Sequence, residues 1–301
     1  MLGANRISIS HELLGQISEI EAFKGLWQGL DRHTTGLQFL GDVADYGANF
    51  KQVLGPLQER PITPDLIRAL HAGQVKQKGL SSYKTVADKI AFIGSDGTAV
   101  GSIETADSAQ AEVLLPKLCE WVNEALAEDH PMHPLIVMAV FTAVFLQLAP
   151  FDKGNQNMAR FLLLLMQMKA GYVYAPYASL EPIMVENALE IYEGLAHNQQ
   201  SLEAGTPDWS VWMGAFMGLM KAQKDELYSR LYEKEVDLRG MSTLSIKVME
   251  LFKEHKRLQM KEIIKLTNGR RATIKVRLQE LLEGGYLVRH GQGRSTWYSL
   301  C

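Results

Sequence analysis

Residues 149–160, "APFDKGNQNMAR", join a short turn to the start of an apolar helix. A small-residue turn that runs straight into a helix leaves unpaired backbone N–H groups at the helix's positive end. Such an arrangement holds phosphate without any side chain. Gly154 and Asn155 suit the tight backbone, and Asp152, Lys153, Gln156 and Asn157 complete the loop. Arg160 lies about one and a half turns into the helix, within reach of a bound anion. The same residues also fit an ordinary helix start between two core helices. A second set of candidates stands near the C-terminus: Arg270, Arg271, Thr273, Lys275 and Arg277 in one helical stretch, with Arg289 and Arg294 beyond it. Residues at the start of such a helix can meet base edges while nearby cations meet phosphates. The other reading is a solvated helix face or a protein-docking surface.

Both sets need scaffolds. Residues 134–151, "PLIVMAVFTAVFLQLAPF", carry no charge and approach the length of a membrane span. Thr142 and Gln147 interrupt them, a proline lies near each end, and no basic flank follows, so the pattern predicts a helix buried on all sides. After the loop, "MARFLLLLMQMKAGY" reads as a second apolar helix capped near Gly171. Earlier in the chain, Leu13, Ile17, Ile20, Trp27 and Leu30 mark an amphipathic helix. Residues 41–57 and 62–75 read as two more, with Thr63 as N-cap before Pro64. Residues 81–108 are loop-rich, with a hairpin turn at Ser95-Asp96-Gly97. A helix with Leu115, Leu118, Trp121, Val122 and Leu126 on one face follows. Helices near 180–197 and 208–235 finish a mostly α body.

The polar stretch "DLRGMSTLS", residues 237–245, marks a domain boundary. Beyond it lie helical patterns at 243–254, 259–266 and about 269–283, then a hairpin formed by "YLVRH" and "STWYSL" around "GQGR". Three helices followed by a hairpin make a winged helix, with Ile274, Leu278, Leu281 and Leu282 as the buried stripe of its third helix. Arg289, His290 and Arg294 fall on or near the wing.

Net charge is −3 over 301 residues, but its distribution is uneven. Residues 241–301 hold 12 Lys+Arg and 5 Asp+Glu, the rest of the chain 19 and 29. A basic tail on an acidic body implies a separate anionic partner for the tail. Cys119 and Cys301, far apart in sequence, argue against a disulfide framework and fit a reducing cytosol. No basic start followed by an apolar run marks a signal peptide.

The loop and its surroundings resemble the Fic family, whose motif is His-Pro-Phe-x-(Asp/Glu)-Gly-Asn-Gly-Arg-x-x-Arg. Pro150, Phe151, Gly154, Asn155 and Arg160 stand in register with it. "HPLIVMAVFTAVFLQLAPF" resembles the family helix that leads into the motif, "GSIETADSAQAEVLLPKLCEWVNE" the target-binding flap and its following helix, and "LIRALHAG" the segment before the flap. The resemblance covers roughly residues 10–235. It implies transfer of AMP or a related phosphate-containing group to a protein hydroxyl, with ATP as donor and Mg²⁺ on the phosphates.

The departures weigh against that activity. Ala149 stands where the family has its general base, and a methyl group accepts no proton. Lys153 stands where an acid holds Mg²⁺, a cation that needs oxygen ligands. Gln156 replaces a glycine of the anion nest, and Asn157 replaces the first arginine. Asp152 is one residue away from the acid position and reads as a solvated loop carboxylate. His130 and His133 read as a surface helix start, and His197 as a helix-end residue. No Ser/Thr-x-x-x-Glu-Gly/Asn self-inhibitory pattern precedes the flap.

The sequence therefore predicts a cytoplasmic, mostly α protein: an N-terminal helical segment (1–60) packing on a Fic-like core (61–236) with a small β-hairpin flap, and a winged-helix domain (237–301). It predicts a pseudoenzyme that binds ATP, another nucleotide or a protein partner at the flap, that binds DNA through the tail as a homodimer, and that holds no metal. The alternative is an active transferase.

Overall fold

The computed structural model describes residues 7–31, 52, 54–127, 129–240, 242–291, 293 and 296–300. Most of the helix predicted over 41–57, the position Arg294 and the thiol of Cys301 lie outside them. The chain forms two compact units, residues 1–228 and 229–301.

In the first unit, α1 (His11–Asp31) buries Leu13, Ile17, Ile20, Phe23 and Trp27, spaced three and four apart on one face. The Leu30 side chain falls outside the described set. Phe23 meets Tyr174 edge-on at 4.9 Å, and Trp27 meets Tyr177 at 5.2 Å, so the N-terminal helix rests on the chain beyond the central helices. Residues 54–58 are helical. Next comes α2 (Pro64–Gln74), where the Thr63 hydroxyl accepts the Leu66 N–H at 3.1 Å, the cap its place before Pro64 predicts.

Strands β1 (Lys89–Ile93) and β2 (Ala99–Glu104) form the antiparallel hairpin, with Ala91 opposite Ser102. Asp96 fastens its turn by accepting the N–H and hydroxyl of Thr98 at 2.9 and 2.7 Å. Gly97 there takes φ +80°, a left-handed value suited to glycine. A reciprocal Asp107–Gln110 capping box starts α3 (Ser108–Ala125).

The charge-free segment is α4 (Pro134–Leu148), apolar and buried nearly all round. Fifteen residues span about 22 Å, short of a hydrocarbon core. Among the described residues no helix is long and apolar enough to cross a membrane. Its neighbour α5 (Asn155–Lys169) ends where Gly171 turns left-handed at φ +83°. A 3₁₀ turn (Ala175–Tyr177) leads to α6 (Leu180–Glu186) and α7 (Ala188–Glu203). These two replace the single helix predicted near 180–197. The break falls at Asn187, whose side-chain amide donates to the Ile183 carbonyl at 2.7 Å. The last helix, α8 (Ser210–Gly240), runs into the polar residues read as a link and ends at Gly240. Nothing in Asp237–Gly240 breaks a helix until the glycine, so the polar run joins it. Gly194 lets α7 approach α8: a Cβ there would lie 3.0 Å from the Trp212 Cα.

The second unit holds α9 (Thr243–Glu254), α10 (Met260–Thr267) and α11 (Arg271–Glu283), then β3 (Leu287–His290) paired antiparallel with β4 (Trp297–Leu300). Leu258, between α9 and α10, exchanges backbone bonds of 3.0 and 2.8 Å with Tyr298 and so adds a one-residue bridge to the hairpin. Val248, Phe252, Ile263, Ile274, Leu278, Leu281 and Leu287 fill the core. Three of the four predicted stripe residues are buried, and Leu282 packs partly buried against them.

Candidate functional site

The loop between α4 and α5 is built from its backbone. Ala149 ends α4 in a left-handed conformation, φ 39° and ψ 67°, and is 3 % exposed. The Asn155 side chain clasps Phe151 on both sides, accepting its N–H at 3.0 Å and donating to its carbonyl at 2.7 Å. Gly154, at φ +78°, precedes α5 and contributes no side-chain cap, so the first-turn amides of α5 keep their donors for a partner.

Beneath the loop sits His71 of α2, 4 % exposed and stacked on Phe151 with ring centres 3.8 Å apart. Its Nε2 lies 2.8 Å from the Lys153 carbonyl, and its Nδ1 lies 2.7 Å from the Ser81 hydroxyl. A carbonyl only accepts, so Nε2 donates to Lys153, while Nδ1 and the Ser81 hydroxyl share the second hydrogen bond. A Cβ on Gly154 would stand 3.2 Å from Nε2, which makes glycine fit this position by both space and backbone angle.

The hairpin closes the other side. Lys84, Asp88, Lys89, Ile90, Ala91 and Thr105 line a cleft of about 350 Å³ together with Ala149 and residues 151–157. The Gln156 amide spans it, donating to the Ala91 carbonyl at 3.1 Å. On β2, Gly101 faces Tyr192 of α7, whose ring atoms would lie 2.3 Å from a Cβ placed there.

The sequence candidates divide. Gly154, Asn155, Gln156, Asn157, Lys153 and Asp152 line the cleft with Ala149. Asp152 stays exposed and accepts the Thr85 N–H at 3.1 Å. Arg160 is drawn away: it donates to the Asn157 carboxamide and pairs with Glu181 at 3.4 Å beside a separate pocket of about 170 Å³. Asn157 lines both cavities. His133 caps α4 through Nδ1 and lies 3.5 Å from Glu21, where burial lowers its pKa. His197, in the penultimate turn of α7, binds Asp208 at 2.9 Å. The donor set does not fit Mg²⁺: Lys153 brings a cation into the cleft, the cleft carboxylates Asp152 and Asp88 accept from the Thr85 and Lys89 N–H groups, and no described group of three His, Cys, Asp or Glu side chains could hold a metal ion.

Residues that sequence reasoning missed are His71, Ser81, Lys84 and Thr105. His71 left a trace, falling four residues after Ile67 on the buried face of α2. Lys84 left none, since "SSYKT" reads as an ordinary polar loop.

In the second unit, Arg270, Arg271, Thr273 and Lys275 are exposed at the start of α11, and Arg289 is exposed on β3. Arg277 is half-buried and engaged with Glu280 at 2.7 Å. Asn268, at φ +54°, and Gly269 form the turn from α10; a Cβ on Gly269 would meet Ile274 Cδ1 at 2.8 Å. No side chain caps α11. His290 stacks on Trp297 at 3.9 Å across the hairpin.

Residues 61–167 match the model of the Fic/DOC family. Along nearly its whole length the fold is similar to a Fic family protein from Desulfovibrio desulfuricans, with 13% identity, a TM-score of 0.55, and coverage of 98% of this chain and 97% of that one. A Fic domain containing signaling protein from Bacteroides thetaiotaomicron aligns at 19% identity and a TM-score of 0.43 over 63% of this chain and 68% of that one. No curated protein matches.

Proposed function

We propose that the Fic-type domain works as a binding module rather than an AMP transferase, holding a nucleotide or a protein partner, and that the second unit is a DNA-binding winged helix. The reading rests above all on the loop. The uncapped start of α5, Gly154 and the Asn155 clasp support the anion-holding part of this reading. The loop's proton acceptor is replaced by buried Ala149 and its metal acid by Lys153. Loss of a general base alone costs about two to four orders of magnitude in rate. A phosphate tail would be held by the α5 amides and Lys153, and a partner peptide would approach along the hairpin.

The order of three helices and a hairpin, with the Leu258–Tyr298 bridge, supports the winged-helix reading. Arg270 and Arg271 crowd the positive end of α11, an arrangement that a phosphate favours and an empty helix end does not. Two copies on paired half-sites would multiply affinity, so we propose a homodimer on DNA.

Incubation with labelled ATP and cell lysate tests the first half. No label transfer is expected, and robust labelling lost on Asp152→Ala or Arg160→Ala overturns it. An active transferase with altered chemistry remains the second reading because the α5 start is intact. Activity gained only in Ala149→His with Lys153→Asp favours a decayed transferase over a working one. For the second half, Arg270→Ala with Arg271→Ala is expected to weaken duplex binding and flatten its salt dependence by about one unit of slope for each phosphate no longer neutralised. Unchanged binding by anisotropy overturns it.

A further inference from the structure

Lys84 is a buried cation with no ion partner among the described residues. It is 2 % exposed, and its amine donates to the Thr105 hydroxyl at 2.9 Å and to the Leu148 carbonyl at 3.0 Å. Both acceptors are neutral. Among the described residues no carboxylate lies within 4.0 Å of it. Asp107, Asp88 and Asp152 act on it only from farther away, and burial outweighs them, lowering its pKa. Buried charges are normally paired, because taking an ammonium out of water costs several kcal/mol that neutral hydrogen bonds only partly offset.

The placement of this cation matters. Leu148 directly precedes Ala149, and the Lys84 backbone N–H binds the Pro150 carbonyl at 2.8 Å, so Lys84 grips the loop on both sides of Ala149. Lys84 also lines the 350 Å³ cleft, with Lys153, Lys89 and the start of α5. Lys89 is already paired with Glu104, and Asp88 and Asp152, which line the same cleft, act on Lys84 only from a distance, so its amine has no direct counter-charge among the described residues.

We propose that Lys84 is an anion-binding residue of this cleft and that a phosphate group, taken up without a divalent cation, supplies its counter-charge. The ligand class is an inorganic phosphate or pyrophosphate, or the phosphate tail of a nucleotide. The inference rests on the reading of the cleft as an anion site and adds the residue and the metal independence. Lys84 thereby provides, from the segment before the hairpin, part of the positive charge that Mg²⁺ would otherwise bring.

Calorimetric titration of the full-length protein with sodium pyrophosphate, and separately with ADP, both in EDTA, tests it. The wild type is expected to bind. Lys84→Met should weaken binding by at least about tenfold, the loss of one charge-assisted hydrogen bond. Lys84→Arg should keep most of the affinity. As pH rises, binding by the wild type should fall off at lower pH than binding by Lys84→Arg, because the lysine discharges first. This comparison also serves if Lys84→Met does not fold. Pyrophosphate binding equal to that of ADP points to a free phosphate ligand; much tighter ADP binding points to a nucleotide. Wild-type binding left unchanged by Lys84→Met, or identical pH profiles for wild type and Lys84→Arg, overturns the role of Lys84 while leaving the anion site standing. No binding of either probe overturns both.

Discussion

Replacing His71 by alanine tests whether the loop is held from below. The imidazole is 4 % exposed, stacks on Phe151 and bridges Ser81 to the Lys153 carbonyl. Three losses follow. The Ser81 hydroxyl, 2 % exposed, is left without its ring partner at about 1–3 kcal/mol. Removing the ring stacked on Phe151 costs about 0.5–1.5 kcal/mol. The Lys153 carbonyl belongs to an exposed residue and rehydrates at little cost. His71→Ala should therefore destabilise the first unit by about 2–4 kcal/mol, read as a shift of the urea midpoint by tryptophan fluorescence. A double-mutant cycle sharpens the test. Gly154→Ala alone incurs about 1–2 kcal/mol for a left-handed alanine, plus the 3.2 Å approach to His71 Nε2. In the His71→Ala background the ring is absent, so Gly154→Ala should cost less there. A His71→Ala effect below about 1 kcal/mol, or strict additivity of the two, refutes the argument.

Three further outcomes are expected. Asp208 has its pKa lowered to about 2, first by the Ser210 N–H and then by His197 and the Ser210 hydroxyl. Its stabilisation is complete above about pH 4 and lost as pH falls through 2. Asp208→Ala should thus cost about 1 kcal/mol at pH 7, after discounting for its exposure, and nothing measurable below pH 2 in urea melts. Gly101→Ala forces a methyl against the Tyr192 ring and should cost about 1–3 kcal/mol, with faster amide exchange in β1 and β2. Cys119 is 2 % exposed and burial pushes its thiol up to about 12, so maleimide labelling at pH 7 should reach it only as fast as the first unit unfolds.

Much of the scaffold was legible because its signals are local. The unbroken apolar run at 134–148, the Thr63-Pro64 start and the Asp96-Gly97 turn each name an element from a few neighbouring residues. The same holds for the loop, whose glycine and asparagine announce their geometry. What was not legible depends on residues far apart in sequence. His71 meets Lys153 across 82 positions, and Lys84 meets Leu148 across 64. No periodicity encodes such pairs. The end of α8 was misread for the opposite reason: a polar run resembles a link, yet helix propensity carries α8 through it to Gly240. Arg160 showed a limit of another kind. Its type was informative, but its engagement with Glu181 follows from a helix that begins at 180.

The clasp of Asn155 on Phe151 has a consequence for how such a site changes over time. It closes the turn through one side chain and one backbone unit, neither of which would take part in chemistry. The contour of the loop is thus insulated from the identities at 149, 153, 156 and 157. Reactive groups can be removed or reinstalled at those positions as interchangeable fittings, while the frame that presents them stays the same.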